Sequence, residues 1–139
     1  MRTEQVADQL HAAAIRLLRY VRKEDIASGV TGAQLSVLSV LAFGGPQTLG
    51  ALAAAEQVKP PTMSQLVSDL ERLNLVARKP LDRRSSEISL TRKGRLLMEA
   101  GRKRRLARLT KAIERLPPEQ IDRLAQAAGL IVAITDSTL

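Results

Sequence analysis

Apolar positions recur at helical spacing over most of the chain. Between residues 3 and 25, Val6, Leu10, Ala13, Ala14, Leu17 and Val21 form one stripe of about six turns. Arg2, Arg16, Arg19, Arg22 and Lys23 take the other sides of that helix. A shorter pattern points Leu35, Leu38 and Leu41 inward, and another buries Leu49 and Leu52. Ala51, Ala53, Ala54 and Ala55 around the latter pair permit close helix approach. Residues 60–73 repeat the period with Met63, Leu66, Val67, Leu70 and Leu73. From Thr91 to about Arg115 the stripe is broken: Leu96, Leu97, Ala100, Leu106, Leu109 and Ile113. A last helix opens at Pro117-Pro118-Glu119 and carries Ile121, Leu124, Ala125, Ala128, Ile131, Val132 and Ile134. That face is too apolar for a free tail, so it is expected to pack on another helix or on a second copy of the chain. The long first helix is likewise a candidate dimerisation element, with packing inside its own chain as the alternative.

The period changes in one place. Leu75-Val76-Ala77-Arg78-Lys79 reads as a strand, and Glu87-Ile88-Ser89-Leu90 alternates as a second one, with the polar segment 80–86 between them. Punctuation supports the division. Thr31 and Gln34 have the spacing of a capping box, and Phe43-Gly44-Gly45-Pro46 breaks the helix that follows it. Thr48 can cap the next short helix, Gln57-Val58-Lys59 is a turn, and Asn74 is a helix stop in the left-handed region. Two short helices on so tight a connection are a helix-turn-helix, and a hairpin directly after it is a wing.

The helix at 60–73 carries the candidate chemistry. Opposite its apolar face lie Pro61, Gln65, Ser68 and Arg72, with Ser64 and Asp69 beside them. Prolines suit a first helical turn, where a missing N–H costs little. A helix with one buried face and Ser, Gln and Arg on the other fits a DNA major groove. The charge points the same way. The 139 residues carry a formal +8, which favours a polyanionic partner.

Composition excludes other chemistries. Without cysteine there can be no disulfide, thiolate metal site or thiol redox switch. One histidine speaks against a zinc or iron sensor. Tyr20 and Phe43 are the only aromatic residues, too few for a platform that stacks single-stranded nucleic acid. Neither a phosphate-cradling glycine loop nor a convergent carboxylate pair suggests an enzyme, and no cofactor is expected. The N-terminus lacks a signal-peptide pattern, and the apolar run Leu130–Ile134 is too short for a bilayer. The expectation is a soluble cytoplasmic protein without a membrane role.

One motif ties these elements to a family. Asp82-Arg83-Arg84-Ser85-Ser86-Glu87-Ile88-Ser89-Leu90-Thr91, extended by Gly94, resembles the wing signature D-x-R-x-x-x-x-x-L-T of the multiple antibiotic resistance regulator (MarR) family. Pro61-Thr62-Met63-Ser64 followed by Leu70-Glu71-Arg72-Leu73 resembles that family's recognition helix. The resemblance spans nearly the whole chain. It implies a mainly α fold with a small β-hairpin: a winged helix-turn-helix at 29–95 between dimerisation helices at 1–28 and 96–139, in one compact domain. It further implies a homodimer on a pseudo-palindromic operator in double-stranded DNA, repressing nearby genes until a small molecule loosens the complex. Two departures stand out. Lys59-Pro60 replaces a commonly Ser or Thr cap and its polar successor, and the preceding short helix has alanines where acidic residues are usual.

Operator binding needs charge to position the protein on phosphates and groups that read base edges. Gln65 is the candidate base reader, since its amide can pair bidentately with adenine. Ser64 and Ser68 can bond bases or phosphates, and Arg72 and Lys59 are candidate phosphate contacts at the two ends of the helix. Thr62 can hold a phosphate with its hydroxyl and nearby free N–H groups, and Pro61 lies on the same outer face. Arg84 matches the family arginine that enters the minor groove, and Asp82 is expected to orient it or to brace the hairpin. Arg83 and Arg78 are auxiliary phosphate contacts or simply exposed. The cluster Arg102–Arg105 is expected to be a solvated surface that steers the protein toward DNA.

Many members of the family bind aromatic acids or phenols in a cleft between dimer helices and winged domain. His11, Arg16, Tyr20 and Phe43 are the candidates for such a cleft, with a purely structural histidine as the alternative. Two rival functions use the same elements: an effector-independent architectural DNA binder, and a protein-interaction module on a winged-helix scaffold.

Overall fold

A computed structural model describes residues 2–136. The chain is mostly helical. Helix α1 (Arg2–Arg22) runs into a 3₁₀ segment (Lys23–Ser28), and α2 (Gly32–Gly44), α3 (Leu49–Ala55) and α4 (Pro60–Arg72) follow. Strands β2 (Val76–Pro80) and β3 (Ser86–Leu90) form the hairpin, and α5 (Arg92–Ile113) and α6 (Pro118–Asp136) complete the chain. The hairpin gains a third member, β1 (Gln47–Thr48), which pairs antiparallel with β3 to give the order β1-β3-β2. A two-residue strand has no alternation to read, so its pairing is visible only once β3 lies beside it.

The caps operate as local chemistry dictates. Thr31 accepts from the Gln34 N–H while the Gln34 side chain accepts from the Thr31 N–H, a full capping box. Thr48 accepts from the Ala51 N–H, and Thr91 caps α5 by accepting from the Gly94 N–H. Asn74 takes up a φ of 62° and ends α4 in the left-handed region. The first helix stops at Arg22, three residues before the end its apolar stripe suggested, because Lys23–Ser28 tighten into the 3₁₀ segment.

The buried core is confined to the middle of the chain. Val37, Leu38 and Leu41 from α2, Leu52 and Ala53 from α3, and Met63, Val67 and Leu70 from α4 meet Leu75, Val76 and Ile88 of the hairpin region. Leu35, Leu49 and Leu66, expected inside, are half-buried at its edge, and Leu73 at the end of α4 is exposed. Neither α1 nor α6 buries a single residue. Val6, Leu17 and Leu18 on α1, and Leu124, Leu130, Ile131, Val132 and Ile134 on α6, stand open to solvent. No single helix among the described residues is long and apolar enough to cross a membrane.

Candidate nucleic-acid interface

The outer face of α4 is built from the residues opposite its core stripe. Met63, Val67 and Leu70 fix the rotation of the helix, which leaves Pro61, Thr62, Gln65 and Arg72 exposed and Ser64 and Ser68 half-buried beside them. Gln65 does not hang free: its Nε2 donates to Asp69 Oδ1 at 3.0 Å, and Arg72 pairs with the same carboxylate oxygen. Asp69, noted in the sequence only as a neighbour, therefore holds both polar side chains along one line of the helix. The signal was their spacing, since positions three and four apart on a helix are adjacent on its surface.

The start of α4 refines the role expected for Thr62. Lys59 is the N-cap, with no side-chain cap bond, and Pro60 and Pro61 fill the first two helical positions. Prolines carry no N–H, and the Met63 N–H already donates to the Lys59 carbonyl. The backbone donors left at this helix end are those of Lys59 and Thr62, fewer than a phosphate-holding turn normally offers. The exposed Lys59 ammonium and the Thr62 hydroxyl remain as side-chain partners for a phosphate.

At the wing tip, Asp82 acts on the backbone. Its Oδ1 accepts from the N–H groups of Arg84 and Ser85, each at 2.8 Å. The loop is closed further by the Leu81 N–H donating to the Ser85 carbonyl at 3.0 Å. Hydrogen bonds from the Arg84 N–H, and then from the Ser85 side chain and N–H, hold the Asp82 carboxyl below its ordinary pKa. Arg83 and Arg84 thus project from a braced turn, both exposed.

Three contacts that sequence spacing does not reveal fix the wing and the start of α5 to the end of α4. Arg78 on β2 is half-buried rather than free for phosphate: its Nε and Nη2 lie 3.2 and 3.0 Å from Glu71 Oε1 on α4. The Thr91 hydroxyl donates to the Asn74 carbonyl at 2.6 Å. Lys93 Nζ donates to the Leu73 carbonyl at 2.9 Å, placing a cation at the negative end of α4. Arg95 likewise donates to the Leu90 carbonyl, so Lys93 and Arg95 serve the fold before they serve any ligand.

The basic stretch of α5 also differs from the expected solvated surface. Arg104 donates to the Glu24 carbonyl at 3.4 Å, Arg105 pairs with Asp25 at 3.0 Å, and Arg108 pairs with Glu24 at 3.3 Å. These half-buried arginines grip the 3₁₀ segment between α1 and α2, and only Arg102 and Lys103 of the cluster stay exposed. Partners some eighty positions apart in the chain leave no local pattern. The four candidate ligand residues are not gathered by one chain. His11 and Arg16 are exposed on α1, Tyr20 lines a hollow against α5, and Phe43 lines a different one with Pro46, Leu90 and Met98.

Known proteins place this geometry. The sequence model of the MarR family matches residues 28–85. An uncharacterized HTH-type transcriptional regulator of Mycobacterium bovis is 35% identical over 135 residues, covering 96% of this chain and 94% of its own length. The HTH-type transcriptional repressor MdtR of Bacillus subtilis is 38% identical over 109 residues, covering 72% of this chain and 70% of its own. Among solved structures, a transcriptional regulator of Thermotoga maritima superposes with a TM-score of 0.81 at 26% identity, covering 97% of this chain and 99% of its own. A MarR family protein of Bacillus stearothermophilus shares the fold with a TM-score of 0.80 at 24% identity, covering 98% and 96%. A helix-turn-helix beside a braced basic wing, in a chain similar to such regulators over 96% of its length, belongs to the MarR family of DNA-binding transcriptional regulators.

Proposed function

We propose that two copies of the chain form a homodimer that grips a pseudo-palindromic operator and represses nearby genes. The observation that carries this reading is the coupling of α4 to the wing through Glu71–Arg78, and to the start of α5 just after the wing through Lys93–Leu73. It makes one rigid reader with two basic ends. In this reading α4 lies in the major groove. Asp69 takes one amide proton of Gln65 and leaves the carbonyl oxygen and second proton, the pair that adenine N6 and N7 require. Ser64 and Ser68 flank that contact, while Lys59, Thr62 and Arg72 meet phosphates and Pro61 packs along the groove edge. Arg84, with Arg83 beside it, reaches the minor groove from the turn that Asp82 braces. A narrow A·T-rich groove there favours a cation.

The dimer rests on bare apolar faces. Segments 1–28 and 96–139 carry α1 and α6, whose open leucines, isoleucines and valines a second copy can cover, leaving 29–95 to bind DNA. Repression follows the similarity to MdtR, which is a repressor. Relief by a small aromatic or phenolic ligand is the associated switch, with His11, Arg16, Tyr20 and Phe43 as candidates once two chains come together.

The test is gel-shift binding to DNA upstream of the chain's own gene, with excess random duplex and varied salt. Retention at one dimer per site, with affinity falling steeply as salt rises, is expected. Equal loss into random competitor would overturn the operator reading. Release by phenolic acids but not by matched neutral phenyl compounds would identify the switch.

A further inference from the structure

Helix α4 carries two carboxylates, and only Glu71 ties the helix to another element, through Arg78 of β2. Among the described residues, the polar contacts of Asp69 stay within α4. Its Oδ1 accepts from Gln65 Nε2 at 3.0 Å and pairs with Arg72. The position is otherwise unfavourable. Asp69 stands in the last turn of α4, where a negative charge opposes the helix dipole. Its side chain is also one-third exposed beside the face proposed to meet DNA, where it repels the polyanion that the chain's +8 charge attracts. The pair with Arg72 offsets little of this, because the Arg72 side chain is 70% exposed and surface pairs contribute little stability.

What Asp69 does supply is orientation. A glutamine amide can turn over about its last bond, exchanging its carbonyl oxygen and its NH₂ group. The Asp69 carboxylate accepts from the NH₂ and repels the oxygen, so one arrangement is held before DNA arrives. The same carboxylate cancels the charge of Arg72, which keeps donors for a phosphate but loses its net pull on any duplex. We propose, on the basis of the operator reading above, that Asp69 is a specificity-determining positioning residue. It presets Gln65 for adenine and weakens binding to DNA of other sequence. Adenine requires an acceptor for N6 and a donor for N7 in fixed order, and presetting reduces the ordering of a long side chain on binding.

Anisotropy titrations of the full chain compare the operator, operators with single base pairs exchanged, and random duplex over a range of salt. The base pair at which Gln65→Ala loses preference is the one Gln65 reads. Asp69→Ala is expected to lose about fivefold of the parent's discrimination at that pair. On random duplex it is expected to bind more tightly than the parent, with a salt slope steeper by about one. Asp69→Asn keeps an acceptor for Gln65 and drops the charge. It is expected to restore discrimination while binding random duplex as Asp69→Ala does. Adding Asp69→Ala to Gln65→Ala is expected to cost no further discrimination, since Asp69 acts through Gln65. Full discrimination in Asp69→Ala, or a further loss on top of Gln65→Ala, would overturn the proposal; a loss at a separate G·C pair would do so in favour of direct reading of cytosine N4. A parent with no operator preference would defeat the operator reading instead. The random-duplex arm decides even then, because unchanged affinity and salt slope in Asp69→Ala would overturn the role of the charge.

Discussion

Gly94 is where the hairpin, the end of α4 and the start of α5 are pressed together, so Gly94→Ala tests that junction directly. A Cβ there would lie far inside van der Waals contact with the Leu75 carbonyl oxygen, 3.2 Å from its carbon and 3.3 Å from Leu90 Cδ2. The first obstacle is backbone and cannot swing aside. The same carbonyl accepts the Thr91 N–H at 3.1 Å, so relief by separation strains that bond as well. Alanine in a helix gains roughly 1 kcal/mol over glycine. Against this stand an overpacking cost of about 1–3 kcal/mol and a weakened hydrogen bond worth about 1 kcal/mol. The expected outcome is a net loss of about 2 kcal/mol. Urea unfolding followed by circular dichroism reads it as a lower midpoint with unchanged slope. Because the junction also sets the wing against α4, operator affinity is expected to fall at temperatures where the variant is still folded. A midpoint equal to or above the parent's would show that the contact yields freely and would refute this account of why glycine stands there.

Four further outcomes are expected. Arg84→Ala costs about 1–3 kcal/mol of operator affinity while sedimentation shows an intact dimer; unchanged affinity would remove Arg84 from the interface. Gln65→Ala weakens operator binding by a similar amount, about 1–3 kcal/mol, and random-duplex binding far less; equal losses would make it a positioning residue. Arg78→Ala lowers stability by about 1 kcal/mol, since its ion pair with Glu71 is only half-buried, and chemical denaturation with Glu71→Gln as the partner variant reads the coupling. The Asp82 carboxyl has a folded pKa below its ordinary 3.8, so its contribution to the wing turn is present above that value. It is lost as pH falls through the folded pKa. Amide shifts of Arg84 and Ser85 are expected to titrate there by NMR, and to stop titrating in Asp82→Asn.

The sequence by itself determined whatever depends on neighbours within a turn or a strand. The caps at Thr31 and Thr48, the stop at Asn74 and the alternation around Ile88 are local patterns with local causes, and each is found where it was read. The polar face of α4 followed from the same logic, because burying Met63, Val67 and Leu70 leaves only one orientation for Gln65 and Arg72. The wing signature placed Asp82 and Arg84 on a loop, and a two-residue reach let Asp82 brace it.

Only the tertiary structure decided what those groups do to one another across the chain. Arg78 reads as a free cation until β2 folds beside Glu71. Arg104 and Arg105 read as solvated until α5 meets Glu24 and Asp25. Gln47–Thr48 becomes a strand only against β3. Charge is a property of a residue, but whether it is spent on solvent, on a carbonyl or on a carboxylate depends on distance. Between positions far apart in sequence, that distance is set by the packing of the core rather than by any spacing a reader can count.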